Sequence, residues 1–324
     1  MGHPRVSVNQ TTGTQPAPWA TLCYTCSVGL IEAVPNVSEG RRPEVVEALA
    51  AAITETPGID LLDTSSDTAH NRTVFTLVGR PAALKTALLA LYKAAVTRID
   101  LRTHTGEHPR IGAVDVVPLV PLDPVDMPVC VSLATELGAA IADRFDIPVY
   151  LYADAARVPN RHPLESIRRG GFEGLTEKMR VGTWQPDFGP VLPHPSAGAS
   201  AVGARPTLIA FNVNLETTDL DVARHIARTV RASDGGLEAV KAIGVRTEQP
   251  DVVQVSINLV DHHRTPLDRV FEAVTREANR HGVTIRNSEI VGLVPVDALL
   301  SAATRHMRLV GVTKDRVLEC RLAR

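Results

Sequence analysis

The chain has 324 residues, 44% of them apolar, and a formal net charge of −2. That length suits two cores better than one, and the apolar share is that of an ordinary globular protein. The near-neutral balance excludes the polybasic field that nucleic acid or an anionic membrane surface needs, and no apolar run is long enough to span a bilayer.

Residues Met1 to Val28 are rich in Thr, Pro, Gln and Ser and show no apolar period. They read as part of a disordered extension over residues 1–29, with no proper signal-peptide core. Cys23 and Cys26 lie inside it as a lone CxxC, a weak zinc signal without a second pair. Cysteine usage fits a reduced, cytoplasmic protein.

Regular pattern then begins. Leu30 to Val34 reads as a strand ending at Pro35-Asn36. Pro43 opens a helix with Val45, Val46, Leu49, Ala52 and Ile53 on one face and Gly58 as its stop. Ile59 to Leu62 is a strand, Asp63 to Asn71 a polar loop, and Arg72 to Val78 a second strand. Ala82 to Val96 is a helix with Leu84, Leu88, Leu91 and Ala95 as its core stripe. Gly112 to Val117 is a buried strand bounded by Pro118, Val129 to Phe145 a helix, and Val149 to Tyr152 a strand.

Asn160 to Arg205 holds two short helical pieces, Leu164 to Arg168 and Phe172 to Met179, and is otherwise irregular from Trp184 to Ala204. Such a long irregular segment is usually functional. A second block follows. Leu208 to Val213 is a strand, Asp221 to Arg231 a helix prolonged by Leu237 to Ile243, and Gly244 to Arg246 a possible short strand. Val252 to Leu259 is a strand, Pro266 to His281 a helix, and Val283 to Val291 a strand.

Each block begins β-α-β-β-α-β, with an Asn-containing turn after its first strand (Val34-Pro35-Asn36, then Asn212-Val213-Asn214). The expected fold class is α/β of the α+β type: two ferredoxin-like sheet-and-helix subdomains, residues 30–206 and 207–324. A cleft between the two sheets is the default ligand site.

The chemistry concentrates between His104 and Leu122. Two histidines (His104, His108), two carboxylates (Glu107, Asp115) and Arg110 fall on a loop feeding a strand, and Gly106 and Pro109 constrain the backbone around Glu107-His108. His108 is the first choice for proton transfer near neutral pH; the plainer alternative is a loop histidine bonded to backbone carbonyls. Arg110 and Arg72 are forks suited to carboxylates; the plainer alternatives are a surface ion pair for Arg110 and, in His70-Asn71-Arg72, turn chemistry for Asn71 and solvation for Arg72. A metal set drawn from His70, His104, His108 and Asp115 lacks regular spacing, and His262-His263 reads as a solvated strand end. Neither a P-loop nor a GxGxxG motif after a strand is present.

The segments VPNVSEGR (Val34 to Arg41), HNRTVFTLVG (His70 to Gly79), GEHPRIGAVDVVPLVPL (Gly106 to Leu122), PVYLYADAA (Pro148 to Ala156), PDFGP (Pro186 to Pro190), GAR (Gly203 to Arg205), IAFNVNL (Ile209 to Leu215) and SEIVGLVP (Ser288 to Pro295) together resemble glutamate formimidoyltransferase, the formiminotransferase domain of the formiminotransferase-cyclodeaminase family. The likeness is colinear from about Leu30 to Arg324 and lacks the cyclodeaminase half. It implies two subdomains whose sheets face across a cleft, and a homodimer. It implies transfer of the formimino group from N-formimino-L-glutamate to N5 of tetrahydrofolate in histidine degradation. Tetrahydrofolate is then a co-substrate, with no tightly bound cofactor and no metal.

The same likeness implies that His108, in GEHPR, is the catalytic histidine. It also places the folate-contacting segment at Gly189, Pro190, Val191, Leu192, Pro193, His194, Pro195, Ser196, Ala197 and Gly198. Expected partners are the small-molecule substrates, with no nucleic acid and no membrane. The alternatives are an ATP-dependent 5-formyltetrahydrofolate cyclo-ligase, a non-catalytic folate- or amino-acid-binding module, and a metal hydrolase.

Overall fold

The computed structural model describes residues 29–106, 109–123 and 126–322. The first sheet starts with one strand broken in two, β1 (Ile31–Ala33) and β2 (Asn36–Val37), at Val34-Pro35. It is completed by β3 (Ile59–Asp67), β4 (Arg72–Gly79), β5 (Val114–Pro121), β6 (Val149–Ala153) and β7 (Ser200–Ala204). Across the sheet β3 pairs β4, β4 pairs β1 and β2, and these pair β5, all antiparallel. The first four strand positions thus follow ferredoxin-like order, and β7 and β6 extend the far edge in parallel.

Three helices cover one face: α1 (Pro43–Thr54), α2 (Pro81–Arg98) and α3 (Met127–Phe145). Each has proline in its first turn, where the missing N–H costs nothing. The expected stripe of α2 is fully buried at Leu84, Leu88, Leu91 and Ala95. On α1, Val45, Leu49 and Ile53 are buried, while Val46 and Ala52 pack at the margin. Each buried Leu or Ile contributes about 1.5–3 kcal/mol relative to exposure. The opposite face is partly covered by the short helices α4 (Leu164–Arg168) and α5 (Leu175–Met179), which pack on Val116, Tyr150 and Tyr152.

The second sheet is β11-β8-β10-β9, antiparallel throughout, made of β8 (Ile209–Leu215), β9 (Val240–Arg246), β10 (Val253–Leu259) and β11 (Ile285–Val291). Helices α6 (Leu220–Val230) and α7 (Leu267–Arg280) pack on one face, and α8 (Val296–Met307) and α9 (Leu318–Leu322) follow. Burial alternates along β8 and β10, so one face is apolar and the other polar.

Five expectations are corrected. The loop expected over Asp63 to Asn71 is largely strand, because Thr64, Ser65 and Ser66 pair with Phe75, Val74 and Thr73 past a bulge after Leu61. Pro118 does not end its strand: it lies opposite the break between β1 and β2, and its carbonyl accepts from Val34 N at 3.0 Å. The segment Trp184 to Ala204 contains β7, whose small residues fit fully buried between β5 and β6. Leu237 to Ile243 is not helical; Val240 and Ala242 turn inward alternately and pair with β10 as β9. Asn212 and Asn214 lie within β8 rather than in a turn. Helices α8 and α9 had no counterpart in the sequence reading.

Candidate functional site

The site is built where three loops meet: Ser38–Arg42 before α1, the β3–β4 hairpin tip, and the loop approaching β5. Asn71 joins them. It is 8% exposed and has φ of 50°, a left-handed conformation that asparagine tolerates better than most residues. Its Oδ1 accepts from Gly40 N at 2.9 Å, and its Nδ2 donates to the Thr105 carbonyl at 3.0 Å. Backbone approach is so close that a Cβ on Gly106 would lie 2.3 Å from the His70 carbonyl oxygen. The residue next to Glu107 is thereby pinned. Glu107 and His108 themselves lie outside the described residues.

Beyond them, Arg110 fixes the loop from the other side. Its Nε donates to His104 Nδ1 at 2.9 Å and its Nη2 to the His104 carbonyl at 3.0 Å. Both Nη atoms also reach Glu173, Nη2 to Oε1 at 2.9 Å and Nη1 to Oε2 at 3.3 Å. A guanidinium has only donors, so His104 Nδ1 is an acceptor and its Nε2 carries the hydrogen, donated to the Asn71 carbonyl at 3.0 Å. Burial, helped by the Arg110 and Arg41 charges, lowers the His104 pKa and keeps it neutral. His104 is therefore a strut within this loop.

Asp115 is 2% exposed at the start of β5. Its Oδ1 accepts from Ile111 N at 2.7 Å, and its Oδ2 from Arg168 Nη2 of α4 at 2.5 Å. Arg72 lies near this pair: burial lowers its pKa, Arg168 acts the same way, and Asp67 and Asp115 oppose it. Asp67 accepts from His70 N at 2.9 Å and touches His70 Nδ1 at 2.6 Å. Burial raises its pKa, but these bonds outweigh burial and hold the carboxyl below its ordinary range. Arg72, Ser65, Ser66, Asp67, Thr68 and Val74 line one side of a cleft of about 310 Å³, and Glu248 and Val291 of the second subdomain line the other.

The Gly189–Gly198 segment is stitched to both ends of the loop. Ser196 O accepts from Leu101 N at 2.8 Å, and Ala197 O accepts from Ala113 N at 3.0 Å. His194 closes the segment on itself: its Nδ1 accepts from Ala197 N at 3.0 Å, and burial lowers its pKa. Val191 and Leu192 stay exposed, at 47% and 64%. Upstream, Asp187 Oδ2 anchors the turn by accepting from Leu151 N and Arg161 Nη1, each at 2.8 Å.

The structure thus brings Asn71, His104, Arg110 and Gly189–Gly198 together and puts Arg72 on the cleft wall. Arg110 points to Glu173, not to the cleft lining. His70, His104 and Asp115 do not form a metal set, since each faces a different partner. Among the described residues, His262, His263 and Asp297 are the one such group close enough for a metal ion, in the turn after β10 and the first turn of α8. His262 is only 9% exposed in its side chain, less solvated than expected. Sequence reasoning missed Asn71 as a hub, as well as Glu173 and Arg168. Only the asparagine carried a signal, as an HNR turn at a strand start.

The formiminotransferase N-terminal subdomain model matches residues 30–205, and the formiminotransferase domain model matches residues 210–316. A glutamate formimidoyltransferase of Streptococcus pyogenes serotype M1 is 43% identical over 280 residues, covering 86% of this chain and 94% of the relative. One from Thermoplasma acidophilum is 44% identical over 294 residues, covering 90% and 97%. The Rattus norvegicus formimidoyltransferase-cyclodeaminase is 44% identical over 280 residues, covering 85% of this chain and 52% of that longer protein. Taken with the two sheets and the loop they hold, these matches place the chain in the formiminotransferase family.

Proposed function

We propose that this protein is a glutamate formimidoyltransferase. It moves the formimino group from N-formimino-L-glutamate to N5 of tetrahydrofolate and releases L-glutamate. The observation that carries this reading is 43% and 44% identity to transferases of that name over nearly their whole length. The relatives do not favour the ATP-dependent cyclo-ligase alternative.

His108 acts as general base and then general acid. N5 attacks the amidine carbon and gives a tetrahedral adduct, and His108 takes the proton from N5. It returns that proton to the glutamate nitrogen, the C–N bond to glutamate breaks, and the formimino group stays on N5. One imidazole near neutrality suffices for both transfers, and tetrahydrofolate is a co-substrate with no metal or redox step to supply. The support from the fold is the loop's rigidity on either side of His108, through Gly106 against His70 and Arg110 against His104. Preorganised geometry of this kind is worth large factors in rate.

Arg72 on the cleft wall holds a substrate carboxylate. Arg110, already spread over His104 and Glu173, serves as a positioning residue. Gly189–Gly198, folded against the same loop, contacts the folate, with exposed Val191 and Leu192 as apolar contacts. We place the protein in the cytoplasm as a homodimer acting in histidine degradation. Among the described residues no helix is long and apolar enough to cross a membrane. The test is glutamate release from formiminoglutamate with and without tetrahydrofolate, with light scattering for the dimer. Release that ignores tetrahydrofolate refutes the transfer.

A further inference from the structure

The open face of the second sheet is a grid of amides around one carboxylate. In the register, Asn212 lies between Ser256 and Glu289, and Asn214 between Gln254 and Asn287. These side chains alternate with the apolar residues that pack on α6 and α7. Asparagine is disfavoured in strands, and a face that only had to stay wet is better served by Thr or Lys. Here asparagines hold two central positions and are bonded into a fixed array. Asn212 Nδ2 and Gln254 Nε2 both donate to Glu289 Oε1, each at 3.1 Å. Gln254 Nε2 also donates to Asn214 Oδ1 at 2.9 Å, and Asn214 Nδ2 to Asn287 Oδ1 at 2.8 Å. Both bonds fall on Oε1, so Glu289 is oriented while its Oε2 keeps acceptor positions to offer.

The grid turns toward the first subdomain. Val291, two residues along β11 on the same face as Glu289, lines the cleft opposite Arg72. Lys241, on the polar face of β9, donates to Glu165 of α4 at 2.6 Å. One wall of the site thus carries Arg72, and the other carries Glu248 beside the amide grid around Glu289.

We propose that this face reads the pterin ring, with Glu289 as its specificity-determining residue. The inference rests on the transferase reading. The pyrimidine edge of tetrahydropterin presents two adjacent donors, N3–H and the 2-amino group, beside an acceptor, the 4-oxo oxygen. Glu289 Oε2, with two acceptor positions, takes the two donors, and the second N–H of the Asn212 amide, which the Glu289 bond leaves over, donates to the oxygen. Formiminoglutamate also carries a planar pair of N–H donors in its amidine. Its α-carboxylate, on the carbon next to the amidine nitrogen, would bring a second anion against Glu289, so the grid favours the neutral pterin edge.

The test compares wild type, Glu289→Ala and Glu289→Gln with tetrahydrofolate and with its 2-desamino-2-methyl analogue, with melting temperatures as a check on folding. Charge-assisted hydrogen bonds are the strong ones. Glu289→Ala should raise KM for tetrahydrofolate by about 30-fold or more. It should leave KM for formiminoglutamate unchanged and abolish the preference for tetrahydrofolate over the analogue. Glu289→Gln keeps one acceptor and should fall between. A rise in KM for formiminoglutamate alone would assign the carboxylate to the amidine and overturn the proposal. Unchanged constants in folded variants would overturn it equally. Should wild type fail to turn over, the activity reading fails instead, and calorimetry of folate on the same variants still decides the role of Glu289.

Discussion

Asn71→Ala tests the hub directly. The change removes the acceptor of Gly40 N–H and the donor to the Thr105 carbonyl. A buried group left without its partner costs about 1–3 kcal/mol, and Thr105 is exposed enough for water to replace part of its bond. The two losses together come to about 2–3 kcal/mol. The backbone adds to this: at φ of 50° alanine is strained by roughly 1–2 kcal/mol. Asn71→Ala should therefore destabilise by about 3–5 kcal/mol in urea unfolding. Asn71→Gly loses the same bonds but escapes the strain. Against it stands glycine's extra chain entropy of about 0.5–1 kcal/mol, so it should be milder than alanine by roughly 0.5–1 kcal/mol. With the loop unpinned, kcat/KM should fall by about tenfold or more even where the protein is folded. A loss below about 1 kcal/mol, or glycine worse than alanine, refutes the reasoning.

His108→Ala should lower the single-turnover rate by about 10²–10⁴-fold and leave folate affinity unchanged; near-normal chemistry in a folded variant removes the histidine from the mechanism. Arg110→Lys loses the fork to His104 and Glu173, so kcat should fall while KM for formiminoglutamate holds, whereas a rise in that KM would return Arg110 to the carboxylate clamp. Gly106→Ala places a methyl group against the His70 carbonyl and should cost about 1–3 kcal/mol by thermal or urea melts. The histidine pKa values also set a pH dependence. His104 and His194 are both lowered from an ordinary 6.5, so the unfolded chain binds more protons just below that pH. Stability should fall as pH drops from about 6.5 toward their folded values, before Glu39 and Asp67 protonate below the ordinary carboxylate range. The double variant His104→Gln, His194→Gln should flatten that slope, and an unchanged slope would assign it elsewhere.

Local pattern was enough to reveal every long helix of the first subdomain, since α1 to α3 carry proline at their starts and an apolar stripe at helical spacing. Much of the second sheet was legible for the same reason: β8 and β10 alternate apolar and polar residues between turn residues. Colinear motifs marked the family and the loop around His108. Tertiary structure decided the rest. Ser200–Ala204 has no strand pattern of its own and becomes β7 only because small residues fit between β5 and β6. The strand β9 follows two glycines after a helix, and its pairing with β10 overrides local propensity. The roles of His104 and Arg110 depended on Asn71 and Glu173, which lie 33 and 63 residues away along the chain. Sequence showed which side chains were available to the site; folding determined which were used up as struts and which faced the cleft, because hydrogen-bond partners are set by proximity in space.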